Sequence, residues 1–307
     1  MAPELATADR AELAALLRGY SIEVTARGAT AAEVCLAHLA SGTEVYVAFT
    51  PRDTHHGIVD TASRLHAAGF VPVPHVTARN LASFTQLNDF LARLAGEAVV
   101  TRALVLGGDA DRPTGPYHSS LQALETGLFQ RHGIRRIGLA CYPEAHRKVE
   151  TAVLDEALAA KLDLVRGAGL EAWLVSQFCF EAAPIVQLAK RLSARGVDAP
   201  LRVGLAGPAD LRRLWKYGLY CGIGNSIRAL GSRVDAVANL LARRTPDPVV
   251  ADLAKALRRD PGLKIAGIHV FTFGGVAGAA DSANAIIDAA SVPAAAAPVQ
   301  GSGRTAP

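Results

Sequence analysis

A single (β/α)8 TIM barrel of the α/β class is predicted here, with a leading helix and extra helices before the last strand. Two regularities predict it. Short β-branched runs alternate with longer Ala-, Leu- and Arg-rich stretches whose apolar residues recur at i, i+3 and i+4. Such alternation means parallel strands joined by helical crossovers. The runs also number eight. They occupy about 280 residues, near the typical barrel size of about 250.

The elements follow in order. Ala8 to Arg18 reads as the leading helix. The strand runs are Tyr20 to Thr25, Glu44 to Thr50, Phe70 to Val76, Arg102 to Leu106 and Arg136 to Ala140. Ala172 to Phe178, Leu201 to Leu205 and Ile265 to Phe271 complete the set. Helical periodicity fills Gly57 to Ala68, Leu81 to Leu94, Ser119 to Arg131 and Val149 to Gly167. The long gap before the last run holds two more helices, Asn225 to Leu241 and Pro246 to Arg258. The domain reading is a helical segment at 1–19, a barrel at 20–291 and an Ala/Pro-rich tail at 292–307 that is expected to be disordered. A doubly wound open sheet is the alternative. It calls for G-x-G-x-x-G after the first strand, where this chain has Glu23-Val24-Thr25-Ala26-Arg27-Gly28.

Composition narrows the function classes. Half of the 307 residues are hydrophobic, enough for a large core. The 32 basic and 28 acidic residues leave a formal charge of +4, spread along the chain. No basic stripe interleaved with aromatics is present, so nucleic acid is not an expected partner. A small positive excess suits anionic small ligands. The four cysteines form no C-x-x-C pair, so reduced thiols and no metal centre are expected. No basic segment followed by an apolar run opens the chain, and no apolar stretch of about 18 residues occurs. A cytoplasmic enzyme that does not engage membranes is the expectation.

Barrel enzymes carry their chemistry at the C-terminal ends of the strands. The residues predicted there are Glu23, Phe49-Thr50-Pro51, His75, Gly107-Gly108-Asp109 and Cys141 to His146. Strand six adds Gln177 to Phe180, strand seven Gly204 to Gly207, and strand eight Phe271 to Gly275. Packing alone explains such a collection poorly. A carboxylate within Ile22-Glu23-Val24 is costly unless paired or functional. Each residue also has an ordinary alternative. Glu23 could form a structural ion pair, His75 could be a satisfied core histidine, and Asp109 a turn residue. Tyr142 and His146 could cap a helix, Gln177 could bridge backbone groups, and Lys161 could face solvent.

Taken together, the residues resemble the methylenetetrahydrofolate reductase family. The matching pieces are Glu23, Pro74-His75-Val76-Thr77, Gly108-Asp109, Ile137 to Ala140, and Tyr142-Pro143-Glu144-x-His146. They continue with Ala168-Gly169, Ser176-Gln177-Phe178-x-Phe180 and Gly267 to Phe273, so the resemblance spans residues 20 to 275. It implies a β/α barrel that holds FAD non-covalently, uses NADH or NADPH, and acts on a tetrahydrofolate. The implied reaction interconverts 5,10-methylenetetrahydrofolate and 5-methyltetrahydrofolate.

The resemblance also implies roles. Glu23 matches the general acid, with burial expected to raise its pKa. Asp109 matches the aspartate beside flavin and pterin. Gln177, Phe180 and Phe271 match substrate contacts. His75, Gly107, Gly108, Asp109, Ala140, Tyr142, His146, Asp155 and Lys161 match flavin-holding positions. Hydride passing directly from nicotinamide to folate, without flavin, is the variant of this reading. A phosphate-binding lyase or aldolase, or a non-catalytic folate-binding subunit, are the alternatives outside it. Self-association into a homo-oligomer is left open.

Overall fold

The computed structural model describes residues 7–26, 31–144, 146, 148–210, 212–214, 216–217 and 248–291. The predicted helix Asn225 to Leu241 and the predicted tail lie outside these residues. Helix α1 (Thr7–Leu17) leads into β1 (Ser21–Thr25), α2 (Ala31–His38), β2 (Glu44–Ala48), α3 (His55–Ala67) and β3 (Val71–Thr77). A short 3-10 turn, Ala78–Asn80, precedes α4 (Phe84–Ala98) and β4 (Arg102–Leu106). Then come α5 (Ser120–Glu125), α6 (Leu128–Arg131), β5 (Arg136–Cys141), α7 (Thr151–Gly167), β6 (Glu171–Ser176), α8 (Ala182–Ala194) and β7 (Leu201–Ala206). The described residues end with α9 (Pro248–Arg259), β8 (Ile265–Phe271) and α10 (Val276–Ser291).

The eight strands close into one barrel in chain order. Every pairing is parallel, and closure is made by Ser21 opposite His269 and Ile22 opposite Val270. This is the predicted (β/α)8 TIM barrel. Alternation along each strand divides the apolar residues into two cores. Ile22, Val24, Val45, Val47, Ala103, Val105, Ile137, Leu139, Val203, Leu205, Ile268 and Val270 join the large core with helix residues such as Leu65, Leu91 and Leu94. Tyr46, Val73, Leu104, Trp173 and Val175 form a separate cluster inside the cylinder. Trp173 Nε1 donates to the Tyr46 hydroxyl at 2.9 Å, so the widest side chains are tied across the interior. Gly138 makes room for them, because a Cβ there would lie 2.6 Å from the Trp173 ring.

Local signals set the helix ends. Thr54 and Ser83 cap α3 and α4 by accepting from the backbone N–H of Gly57 and Gln86. Helix α4 therefore starts later than the periodicity predicts and runs on to Ala98, where Val99 takes a left-handed conformation (φ 51°). The segment predicted as one helix, Ser119 to Arg131, is two. Gly127 at φ +69° interrupts it between α5 and α6. Among the described residues no helix is long and apolar enough to cross a membrane.

Candidate functional site

The floor of the barrel mouth holds a buried carboxylate between two imidazoles. Glu23 on β1 points its Oε2 toward His75 Nε2 of β3 at 3.4 Å and His269 Nε2 of β8 at 3.9 Å. These distances exceed a closed hydrogen bond. Neither Nε2 atom has another hydrogen-bond partner, although both are buried. The other nitrogen of His269, Nδ1, lies 2.9 Å from Ser21 Oγ. A hydroxyl donating there leaves the imidazole proton on Nε2, facing Glu23. Tyr46 packs on the same ring at a centroid distance of 4.3 Å. Thr272 Oγ1 donates to the Glu23 carbonyl at 2.6 Å, which pins the end of β1 to the loop after β8.

Electrostatics here differ from the expectation. Burial pushes the Glu23 carboxyl up, but the interaction with His269 and the fields of His75 and His269 overcome it. Its pKa lies below the ordinary 4.5, not above it. Burial lowers the His75 pKa, against the opposing pull of Glu23 and Asp109. The floor is therefore an ionised carboxylate facing two imidazoles near neutrality. Sequence reasoning assigned no role to His269 or Ser21. The signal was present in the period of two, which puts Ser21 and Glu23 on one face of β1.

The β4 loop brings Asp109 to the rim. Gly108 adopts φ +91°, and a Cβ there would meet Asn80 Oδ1 at 3.0 Å. Arg79, from the turn after β3, anchors this loop. Its backbone N–H donates to the Gly107 carbonyl at 2.9 Å, and its guanidinium donates to the carbonyls of His118 (2.9 Å) and Ala110 (3.1 Å). Asp109 is exposed, and its charge reaches His75. Lys148 from the β5 loop pairs with Asp111 across the rim. In that loop the rings of Tyr142 and His146 meet edge-on at 5.0 Å. Ala140 sits on β5 two residues after Gly138, on the same strand face.

An aromatic wall covers the β6–β8 side. Phe178 contacts Phe180, Phe271 and Phe273 at 5.7, 5.7 and 4.8 Å. Phe271 joins this wall to the floor, because its ring meets His269 edge-on at 4.8 Å. Gly204 makes the close approach feasible, since a Cβ would lie 2.3 Å from the Ser176 carbonyl oxygen and 2.7 Å from the Phe271 ring. Gln177 follows Ser176 at the end of β6, with its N–H on the Cys141 carbonyl at 2.9 Å.

The predicted residues thus fall into three groups. Glu23, His75 and Asp109 share the β1–β4 side, while Gln177, Phe180 and Phe271 share the β6–β8 side. Gly107, Gly108, Ala140, Tyr142 and His146 belong to the β4 and β5 ends between them. Asp155 and Lys161 lie on α7. Asp155 pairs with Arg195 at 3.1 Å. Lys161 is half-buried, and its pKa is lowered by burial against the opposing influence of Cys141. It does not have the solvent-facing position that was the alternative.

No protein-family model matches the chain. Solved structures do resemble it. An uncharacterized protein from Clostridium thermocellum, described as binding two copies of 5-methyl-5,6,7,8-tetrahydrofolic acid, superposes with a TM-score of 0.52 at 11% identity. The match covers 89% of this chain and 94% of that one. Dihydropteroate synthase from Thermus thermophilus gives a TM-score of 0.48 at 15% identity, over 89% and 93% of the two chains. At such identities the likeness concerns the fold alone.

Proposed function

We propose that this chain is a folate-dependent oxidoreductase of the methylenetetrahydrofolate reductase type. It interconverts 5,10-methylenetetrahydrofolate and 5-methyltetrahydrofolate with NADH or NADPH. The observation that carries the reading is the open triangle of Glu23, His75 and His269 at the floor of the mouth, beside an aromatic wall. Buried polar atoms without closed partners are poised for a substrate atom. The Clostridium thermocellum protein of similar fold binds 5-methyl-5,6,7,8-tetrahydrofolic acid, which supports a folate as the ligand here.

The residues would divide the work as follows. Opening the methylene bridge breaks a carbon–nitrogen bond and needs a proton on the leaving nitrogen. Glu23 handles that proton: it delivers it during reduction and takes it back during oxidation. Its ionised resting state means that reduction begins with proton uptake at Glu23. His269 and His75 hold the carboxylate between them. Asp109 accepts from the donor edge of the pterin, and Gln177 offers both donor and acceptor. Phe271 and Phe180 exclude water from the reacting carbon.

The residues fit FAD in part. Gly107 has open space where a Cβ would stand, whereas the corresponding space at Gly108 is taken by Asn80 and Thr77. Asp155, matched to the flavin-holding set, is engaged by Arg195. Hydride transfer between nicotinamide and folate is the chemistry that a bound FAD supplies.

The test is a spectrum of the purified chain, then anaerobic titration with NADH and with methylenetetrahydrofolate. Flavin absorbance bleached by NADH and restored by folate is the expected result. Glu23→Gln is expected to leave bleaching intact and slow the folate step by about 10²–10⁴-fold. Equal loss of both half-reactions would remove the proton-handling role. A second reading, a folate-binding protein without redox activity, is favoured by the engagement of Asp155 by Arg195. Folate binding with no NADH consumption, in the presence or absence of added FAD, would decide for it.

A further inference from the structure

The opposite end of the barrel carries a second concentration of charge. Glu44 opens β2, Arg102 opens β4, Arg136 opens β5, and Arg202 is the second residue of β7. With Trp173 they line a cavity of about 130 Å³ at the N-terminal ends of the strands. Glu44 is shared by two guanidiniums. Its Oε1 accepts from Arg102 Nη1, and its Oε2 lies 3.0 Å from Arg202 Nη2. Arg202 also donates from Nη1 to the Gly19 carbonyl at 3.0 Å. Arg136 stands outside this arrangement. Its guanidinium lies 5.7 Å from the Trp173 ring centroid. Its Nε approaches Glu171 Oε2 at 3.2 Å, but that carboxylate is 75% exposed.

The charge around the cavity does not balance. Three guanidiniums face one lining carboxylate, and the exposed Glu171 offsets the excess weakly. The Nε atoms of Arg102 and Arg136 are buried without a hydrogen bond of good geometry. An ion-pair plug built only for stability would be complete with Glu44, Arg102 and Arg202. The third arginine and the unfilled space are surplus to it.

We propose that this cavity binds a small inorganic oxyanion of the phosphate or sulfate class. Planar guanidinium forks match the oxygens of such an ion, and partial burial strengthens each charge-assisted hydrogen bond. The bound ion would link the starts of the three strands that carry Arg102, Arg136 and Arg202, with the Glu44 carboxylate neutralising part of their charge, and would favour the closed barrel by mass action. The site is separate from the mouth and does not depend on the proposed reaction.

The test is thermal unfolding of the full chain in rising phosphate, with sodium chloride adjusted to constant ionic strength. The midpoint is expected to rise and saturate at low-millimolar phosphate, by about 2–4 °C. Sulfate is expected to substitute for phosphate. Arg136→Gln leaves both ion pairs of Glu44 in place. It is expected to weaken phosphate binding about tenfold or more and to remove the saturating shift. General salt effects on folding persist in the variant, so the difference between the two proteins isolates the site. Calorimetric titration of the unmodified chain with phosphate, expected to give one site, keeps the test decisive if the variant fails to fold. Equal midpoints in phosphate and chloride, the same phosphate shift in both proteins, or no binding heat would each overturn the proposal.

Discussion

In the proposed reaction the proton is handled by Glu23, and the environment of this residue makes a prediction about pH. Burial alone pushes its carboxyl pKa up, whereas His269 and His75 bring it below the ordinary value. A group with a lowered pKa is a base throughout the neutral range. Oxidation of 5-methyltetrahydrofolate, which needs that base, should therefore be flat through neutrality and fall only at acid pH. Reduction needs the protonated form, so its rate should climb as pH falls toward the ordinary carboxylate value of 4.5. Steady-state rates in the two directions, measured across pH, check this. A reduction rate that is level from about pH 8 to 6 would place the proton elsewhere. Glu23 was legible in the sequence as a carboxylate in an apolar strand. The sign of its pKa shift was not, because His75 and His269 lie 52 and 246 residues away.

At the level of elements, strand β5 illustrates how one small residue allows a large neighbour. Gly138 faces the interior where Trp173 lies, with the Leu104 side chain also close. Gly138→Ala places a methyl group within the volume of the indole. Overpacking of this kind costs about 1–3 kcal/mol, which denaturant midpoints will report as lower stability. An unchanged midpoint would mean that the interior cluster yields freely. Strand positions were read closely because β-branched runs and period-two alternation are local properties. Helix limits were read less well. The Ser83 cap, the left-handed Val99 and the break at Gly127 depend on backbone conformations that apolar periodicity does not encode.

Across the whole molecule, the leading helix belongs to the barrel. Leu13, Leu16 and Leu17 of α1 are buried in the main core, and Arg258 of α9 pairs with Glu12 at 3.0 Å. Gly19, just after α1, accepts from Arg202 at the N-terminal end of the strands. Each of those leucines is worth about 1.5–3 kcal/mol in burial. A chain lacking residues 1–17 is expected to unfold at a much lower temperature than the full chain, or to aggregate. Equal thermal midpoints would show that α1 is dispensable. The closed cylinder also divides the molecule into two chemical ends, acid and imidazole at one and guanidinium at the other, with Tyr46 and Trp173 filling the interior.

The sequence by itself determined the architecture, because eight alternating strand and helix periods can be satisfied by few topologies and each period is written in neighbouring residues. It also named most of the polar residues that lie at the strand ends, since a charged group inside an apolar run stands out locally. Only the tertiary structure decided which of them meet. Closure places β8 beside β1, which brings His269 to Glu23 and Ser21 to His269. It also brings Arg195 to Asp155, which takes that carboxylate into an ion pair. Contacts between residues far apart in the chain, and the electrostatic fields they create, arise from that closure and leave no trace in local composition.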